Sequence, residues 1–215
     1  FAINTNACPP GETQWKEFVD RVKILEDNNC IKRFVLFVSA EGKGAQQEYN
    51  RYGMDWTMFT DNVKYYLKQT TGRCVFMSAF NVLSIPTFLP FLKYVSKLKS
   101  GYKNDIKVDI PYVRSPGFLD AKIATKDLIK EYLHPCISYM EENNFDDREK
   151  SQMKRIVKDL DVRHANLDNW EQEAIEGRRM FYEWIQQYDK RRNVNFLEVF
   201  PQMKEFYEEC KQCMI

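Results

Sequence analysis

The 215-residue chain has no apolar run long enough to cross a membrane, no net charge to speak of and almost no histidine. Each absence removes a class of function. Without a run of about 20 apolar residues a spanning helix is excluded, and no signal peptide is visible. Lys and Arg number 32 against 31 Asp and Glu, a net charge of +1, so no global basic field argues for nucleic acid or a membrane surface. The two histidines, His134 and His164, have no Ser or Cys at a recognisable nucleophile turn. The six cysteines are scattered, and only Cys210 and Cys213 have a metal-like Cys-x-x-Cys spacing. One such pair cannot fill four coordination positions, so it reads as a helix end. With no secretory context the thiols read as reduced and the setting as cytoplasmic. No acid-base pair stands out, which disfavours a complete metal-independent enzyme.

What is present is hydrophobic content of 44% and 14% aromatics, enough for one sizeable core or a core with an appendage. The informative stretch is residues 32–53. Phe34 to Val38 is an unbroken apolar run that ends at Ser39. Such a run fits a strand buried on both faces, as in a parallel sheet. Glu41, Gly42 and Gly44 follow, then polar residues to Arg51 and Gly53. Ligand sites sit at the carboxyl ends of parallel strands, although an ordinary strand-to-helix loop would use the same glycines.

Other elements follow from period and punctuation. Phe1–Asn6 reads as the end of a strand, and a natural start rarely falls inside a core strand, so a preceding segment is expected. A helix from Glu12 presents Trp15, Phe18, Val19, Val22 and Leu25 on one face. A second, from Asp55 to Gln69, turns Phe59, Val63, Tyr66 and Leu67 inward. Cys74–Phe80 is the next strand, with Asn81 at its exit. Ser84 can cap a third helix carrying Phe88, Phe91, Leu92, Val95 and Leu98. Asp105–Val113 is a fourth strand, placed at a sheet edge by Pro111. Strands alternating with helices imply parallel pairing and an α/β fold, a sheet or part of a (β/α) barrel.

After Pro116-Gly117 the pattern becomes helical. A helix capped by Thr125 runs through Tyr139, and Asp147–Asp161 is a charged helix with Met153, Ile156, Val157 and Leu160 inward. Asp168-Asn169-Trp170-Glu171 resembles a capping box. A helix with Ile175, Phe181, Trp184, Ile185 and Tyr188 follows, then a last one over Phe196–Cys213. These aromatic stripes read as core, and Arg178-Arg179 and Lys190-Arg191-Arg192 as solvated faces. Residues 1–115 thus form the α/β part and 116–215 a helical extension.

Three strand exits offer short polar groups: Thr5 and Asn6, Ser39 and Glu41, and Asn81. Amides and hydroxyls there suit a ribose, an amino acid or an adenine. Taken together the exits resemble the radical SAM superfamily. Its third barrel strand often ends in Thr-Asn-Gly, here Thr5-Asn6-Ala7. Its fourth ends in Ser-x-Asp-Gly before an Arg-x-Gly, here Ser39-Ala40-Glu41-Gly42 and Arg51-Tyr52-Gly53. Its fifth ends near an Asn, here Phe80-Asn81. The run Phe181-Tyr182-Glu183-Trp184, Tyr188-Asp189-Lys190-Arg191-Arg192 and Asn195-Phe196-Leu197-Glu198 is similar to the tail of the twitch-domain type.

The resemblance implies a partial TIM-like (β/α) barrel of about four parallel strands, then helices. It implies S-adenosylmethionine as cofactor, cleaved at a [4Fe-4S] cluster to a 5′-deoxyadenosyl radical that modifies a substrate, a peptide in many relatives. By position, Ser39 would contact the ribose, Thr5 and Asn6 would line the pocket, Arg51 would meet the methionyl carboxylate, and Asn81 and Glu41 would face the same cavity. Glu41 stands where the family has Asp, and Ala7 where it has Gly. The cluster loop Cys-x-x-x-Cys-x-x-Cys is absent and would lie upstream of Phe1, so this chain alone is expected to be inactive. The rival expectation is a non-catalytic module whose aromatic helical tail recognises a peptide or protein.

Overall fold

A computed structural model describes residues 1–11, 13–165 and 171–214, with the side chains of His164 and Ala165 outside the description. Its centre is a parallel sheet of β1 (Ala2–Thr5), β2 (Val35–Ser39), β3 (Arg73–Met77) and β4 (Ile106–Asp109), in the order β1-β2-β3-β4. Sequence neighbours are sheet neighbours throughout, with Val35 opposite Ala2 and Arg73, and Cys74 opposite Ile106. Helices fill every crossover, as parallel connections require. They are α1 (Gln14–Asp27), α2 (Ala45–Asn50) with α3 (Trp56–Gln69), and a 3-10 turn Val82–Thr87 running into α4 (Phe88–Gly101).

One sheet face carries Leu36, Val38, Cys74, Phe76, Ile106 and Val108, all buried. Phe76 meets Phe59 of α3 and Phe91 of α4 with ring centroids 6.4 and 5.7 Å apart. Sealing a phenylalanine this way is worth about 1.5–3 kcal/mol. The opposite face corrects the expectation for β2. Val35, Phe37 and Ser39 are only half-buried, because among the described residues no helix lies over them. Val35, Phe37, Val75, Arg73 and Lys107 floor an open groove of about 560 Å³, walled by Asp146, Arg148 and Glu149.

The helical half comprises α5 (Lys126–Tyr132), α6 (His134–Glu142), α7 (Asp147–Ala165), α8 (Glu171–Arg192), α9 (Phe196–Val199) and α10 (Lys204–Gln212). Two expected helices are divided at prolines. Pro135 sits in the first turn of α6 and separates it from α5, and Pro201 separates α9 from α10. Thr125 caps α5 as expected, accepting from Leu128 N at 3.3 Å. Met153, Ile156, Val157 and Leu160 face inward, whereas Ile175 is exposed. Residues Asp168–Trp170 of the expected capping box, and Glu12, lie outside the described residues.

Two of the contacts between the helical half and the α/β part bear on the strand ends. The β4 edge is closed by α7: Val108 N donates to Glu149 Oε1 at 2.7 Å, and Glu149 Oε2 receives Lys99 Nζ of α4 at 2.6 Å. Both side chains of that ion pair are buried. At the other end α8 and α9 dock on α2. Tyr49 packs on Tyr188 and Phe200, and its hydroxyl donates to Asp189 Oδ1 at 2.7 Å. Asp189 Oδ2 then accepts Phe196 N at 2.8 Å. Among the described residues no helix is long and apolar enough to cross a membrane.

Candidate functional site

The carboxyl ends of β1, β2 and β3 each lead into a tight polar turn. At β1, Thr5 Oγ1 accepts Ala7 N at 3.0 Å and Asn6 Oδ1 accepts Cys8 N at 3.1 Å. Ala7 adopts φ +53°, the left-handed region in which glycine has no penalty. Asn62 of α3 donates to Ala7 O at 2.9 Å and fixes the turn from outside.

At β2, Ser39 stands half-buried on the open face, opposite Met77. No hydrogen bond reaches its hydroxyl among the described residues. Two residues on, the charge-bearing side chain of Glu41 is 3% exposed. Arg51 Nε lies 2.9 Å from its Oε2 and Asn50 Nδ2 donates to its Oε1 at 3.0 Å. Gln47 Oε1 accepts Glu41 N at 3.0 Å. Burial pushes the Glu41 carboxyl above its usual range, and Arg51 pulls it partly back. The short helix α2 makes this possible by carrying Gln47 and Asn50 back over the strand exit. Gly53, at φ +82°, turns the chain from Arg51 into α3.

At β3, Asn81 does not end as a free amide. It caps the 3-10 turn, with Oδ1 accepting Leu83 N at 2.9 Å and Ser84 Oγ accepting Asn81 N at 3.2 Å. Its Nδ2 donates to Ala79 O at 3.1 Å. The cap expected at Ser84 therefore belongs to Asn81, with Ser84 as the reciprocal partner three residues on.

The structure thus brings Glu41 and Arg51 into direct contact two residues beyond Ser39, while Thr5, Asn6 and Asn81 spend their polar groups on local turns. His134 lies on α6, half exposed, 3.2 Å from Asp161. Cys210 is buried and Cys213 Sγ donates to Glu209 O at 3.4 Å. Among the described residues no group of three or more His, Cys, Asp or Glu could hold a metal ion.

Two features escape the sequence reading. The groove on the open face holds Arg73 and Lys107 against Asp105, with Lys107 also 2.9 Å from Asp146. Asp105 is held below its ordinary value by these cations despite partial burial. The second concerns the arginines read as solvated. Arg178 Nε donates to Ile123 O at 2.8 Å, and the Arg192 guanidinium lies against the rings of Tyr52 and Tyr188. The i, i+4 spacing of Tyr188 and Arg192 on one helix was the available signal for that contact.

Comparison with protein-family models, with curated proteins and with solved structures returns no match.

Proposed function

We propose that this chain is the C-terminal portion of a radical SAM enzyme, and that its sheet is an arc of a (β/α) barrel with the open face turned to the barrel interior. The observation that carries the reading is the β2 exit. Ser39, which by motif position would be the family's ribose contact, stands on the open face with its hydroxyl unpartnered among the described residues. Supporting it, Ala7 replaces a family glycine at a position with φ +53°, and Gly53 of Arg-x-Gly sits at φ +82°. The sequential parallel strand order suits an arc, and β1 offers an edge paired on one side only among the described residues.

Ser39 would orient the nucleoside of S-adenosylmethionine, with Thr5 and Asn6 shaping the rim. The cofactor would supply radical chemistry only with an iron-sulfur cluster held outside the residues described. Arg51 is engaged by Glu41, so its share in holding the methionyl carboxylate requires that the carboxylate compete with Glu41. Asn81 would act by shaping the turn, since its amide is spent on the cap. The residues present do not fit a [4Fe-4S] cluster. Burial pushes the Cys74 and Cys136 thiols up to about 12, against the thiolate form that iron needs, and the cysteines form no cluster.

The rival reading of an aromatic tail that captures a partner has less support. Phe181, Phe196, Phe200 and Phe206 are all buried within the chain's own core.

The test is the coding DNA preceding Phe1. An in-frame extension carrying Cys-x-x-x-Cys-x-x-Cys, whose anaerobically reconstituted product absorbs as an iron-sulfur protein and releases 5′-deoxyadenosine, is the expected result. A stop codon close upstream, or an extended protein that binds no iron, overturns the proposal.

A further inference from the structure

The guanidinium of Arg192 sits between two rings. Its Cζ lies 3.5 Å from the ring centroid of Tyr52 and 4.4 Å from that of Tyr188. Trp184 extends this wall, its ring 5.0 Å from that of Tyr188. Together with Gln187 and Arg191 these side chains line a pocket of about 530 Å³ that has no acidic residue in its lining. Among the described residues, Arg192 Nη1 is sealed from solvent and has no hydrogen-bond partner. Asp189, three residues before, offers no relief, because its carboxylate is taken by the Tyr49 hydroxyl and by Phe196 N.

A buried guanidinium N–H without an acceptor is costly, and native chains keep few of them. The stacked rings satisfy the faces of the cation but supply no acceptor to its edge. Tyr52 is 73% exposed, a large aromatic in water whose ring lies on Arg192. A pocket with aromatic walls, two guanidinium groups and no acid of its own is complementary to a flat apolar group that carries an oxyanion.

We infer that Tyr52, Trp184, Tyr188, Arg191 and Arg192 form a binding site for such a ligand, an aromatic carboxylate or a nucleotide phosphate. The oxyanion bonds the edge of Arg192 that now lacks an acceptor, and the flat group lies along Trp184. Arg191 contributes a second positive charge. Tyr52, held by the loop between α2 and α3, is the wall that shifts to admit the oxyanion to Nη1. The inference stands on these side chains and does not need the assignment proposed above.

The test is a titration of the isotope-labelled chain, following the Arg192 Nε–H and Trp184 indole N–H resonances. Two matched pairs serve as probes: benzoate against benzamide, and adenosine monophosphate against adenosine. The anion of at least one pair should saturate both signals and bind about ten-fold or more tightly than its neutral counterpart. The tighter anion distinguishes carboxylate from phosphate. Arg192→Gln should cut the preference for the anion several-fold, leaving only what Arg191 supplies. Tyr52→Ala, at an exposed position that leaves the core untouched, should weaken binding several-fold with unchanged Tm, and it carries the test if the first variant does not fold. The inference is overturned by saturation with neither anion, by equal affinity for charged and neutral probes, or by full affinity retained in Tyr52→Ala.

Discussion

Replacing Arg51 with Met leaves the Glu41 carboxylate buried without its countercharge. Removing one partner of a buried pair costs about 3–5 kcal/mol. Arg51 is itself 30% exposed, and Asn50 Nδ2 still donates to Glu41, so roughly 2–4 kcal/mol is expected at neutral pH. The pH dependence identifies the cause. Burial already holds the Glu41 carboxyl above its ordinary value in the native protein. An acid raised in the folded state binds more protons there than in the unfolded chain, so stability falls as pH rises from the unfolded value through the folded one and is level above it. Loss of Arg51 raises the folded value further and extends that window upward. The gap between parent and Arg51→Met should therefore be below about 1 kcal/mol near pH 4.5 and should widen with pH, by at most about 1.4 kcal/mol per unit. Urea unfolding at a series of pH values measures it. Adding Glu41→Gln, which keeps an acceptor for Asn50 and carries no charge, should restore most of the loss at pH 7.5. A gap that stays constant with pH and is untouched by Glu41→Gln would refute the electrostatic account and assign the Arg51 contribution to its packed stem.

Three further outcomes are expected. Lys99→Met strands the buried Glu149 of α7 and should cost about 3–5 kcal/mol in urea unfolding, since both side chains are buried; a loss within about 1 kcal/mol would mean that water reaches the pair. Gly42→Ala places a Cβ 2.7 Å from Thr87 Cγ2 and should cost about 1–3 kcal/mol. Thr87→Ser, which removes that methyl but keeps the oxygen that accepts Lys43 N, should relieve it; an unrelieved loss in thermal unfolding would point to Gln47 as the real obstacle. Iodoacetamide at pH 8, read by mass spectrometry, should modify exposed Cys30 first and the partly exposed Cys8 and Cys213 more slowly. Cys74, Cys136 and Cys210 should react only on unfolding, and early labelling of any of them would contradict the burial that raises their thiols.

The helix faces were legible because their signal is periodic. Val19 and Val22, Phe59, Val63 and Tyr66, and Phe91, Leu92 and Val95 all face inward as their spacing requires. Turn residues were legible where their chemistry is local, as with Thr125 and the Asn28 end of α1. The open face of β2 was not, since Val35 and Phe37 are as apolar as residues beneath a helix, and nothing in their type records whether a helix arrives. The strand exits were legible as polar turns but not as a site. Glu41 finds Arg51 ten positions away only because α2 doubles back, and Asn81 is taken by a cap whose Ser84 partner lay in plain sight. Arg192 was read as solvated because charge alone does not show which rings will meet it.

The hydrogen bond from Tyr49 to Asp189 joins residues 140 positions apart. A nascent chain that has emerged as far as Gly117 holds all four strands and the near partners of α2, Met54 and Trp56, but not the ones the helical half supplies: Tyr188, Asp189, Phe196 and Phe200. A six-residue helix does not persist by itself. The turn that carries Gln47, Asn50 and Arg51 to Glu41 therefore gains its long-range support only in the last quarter of synthesis. The packing around the exit of β2 is complete only when the two distant segments meet.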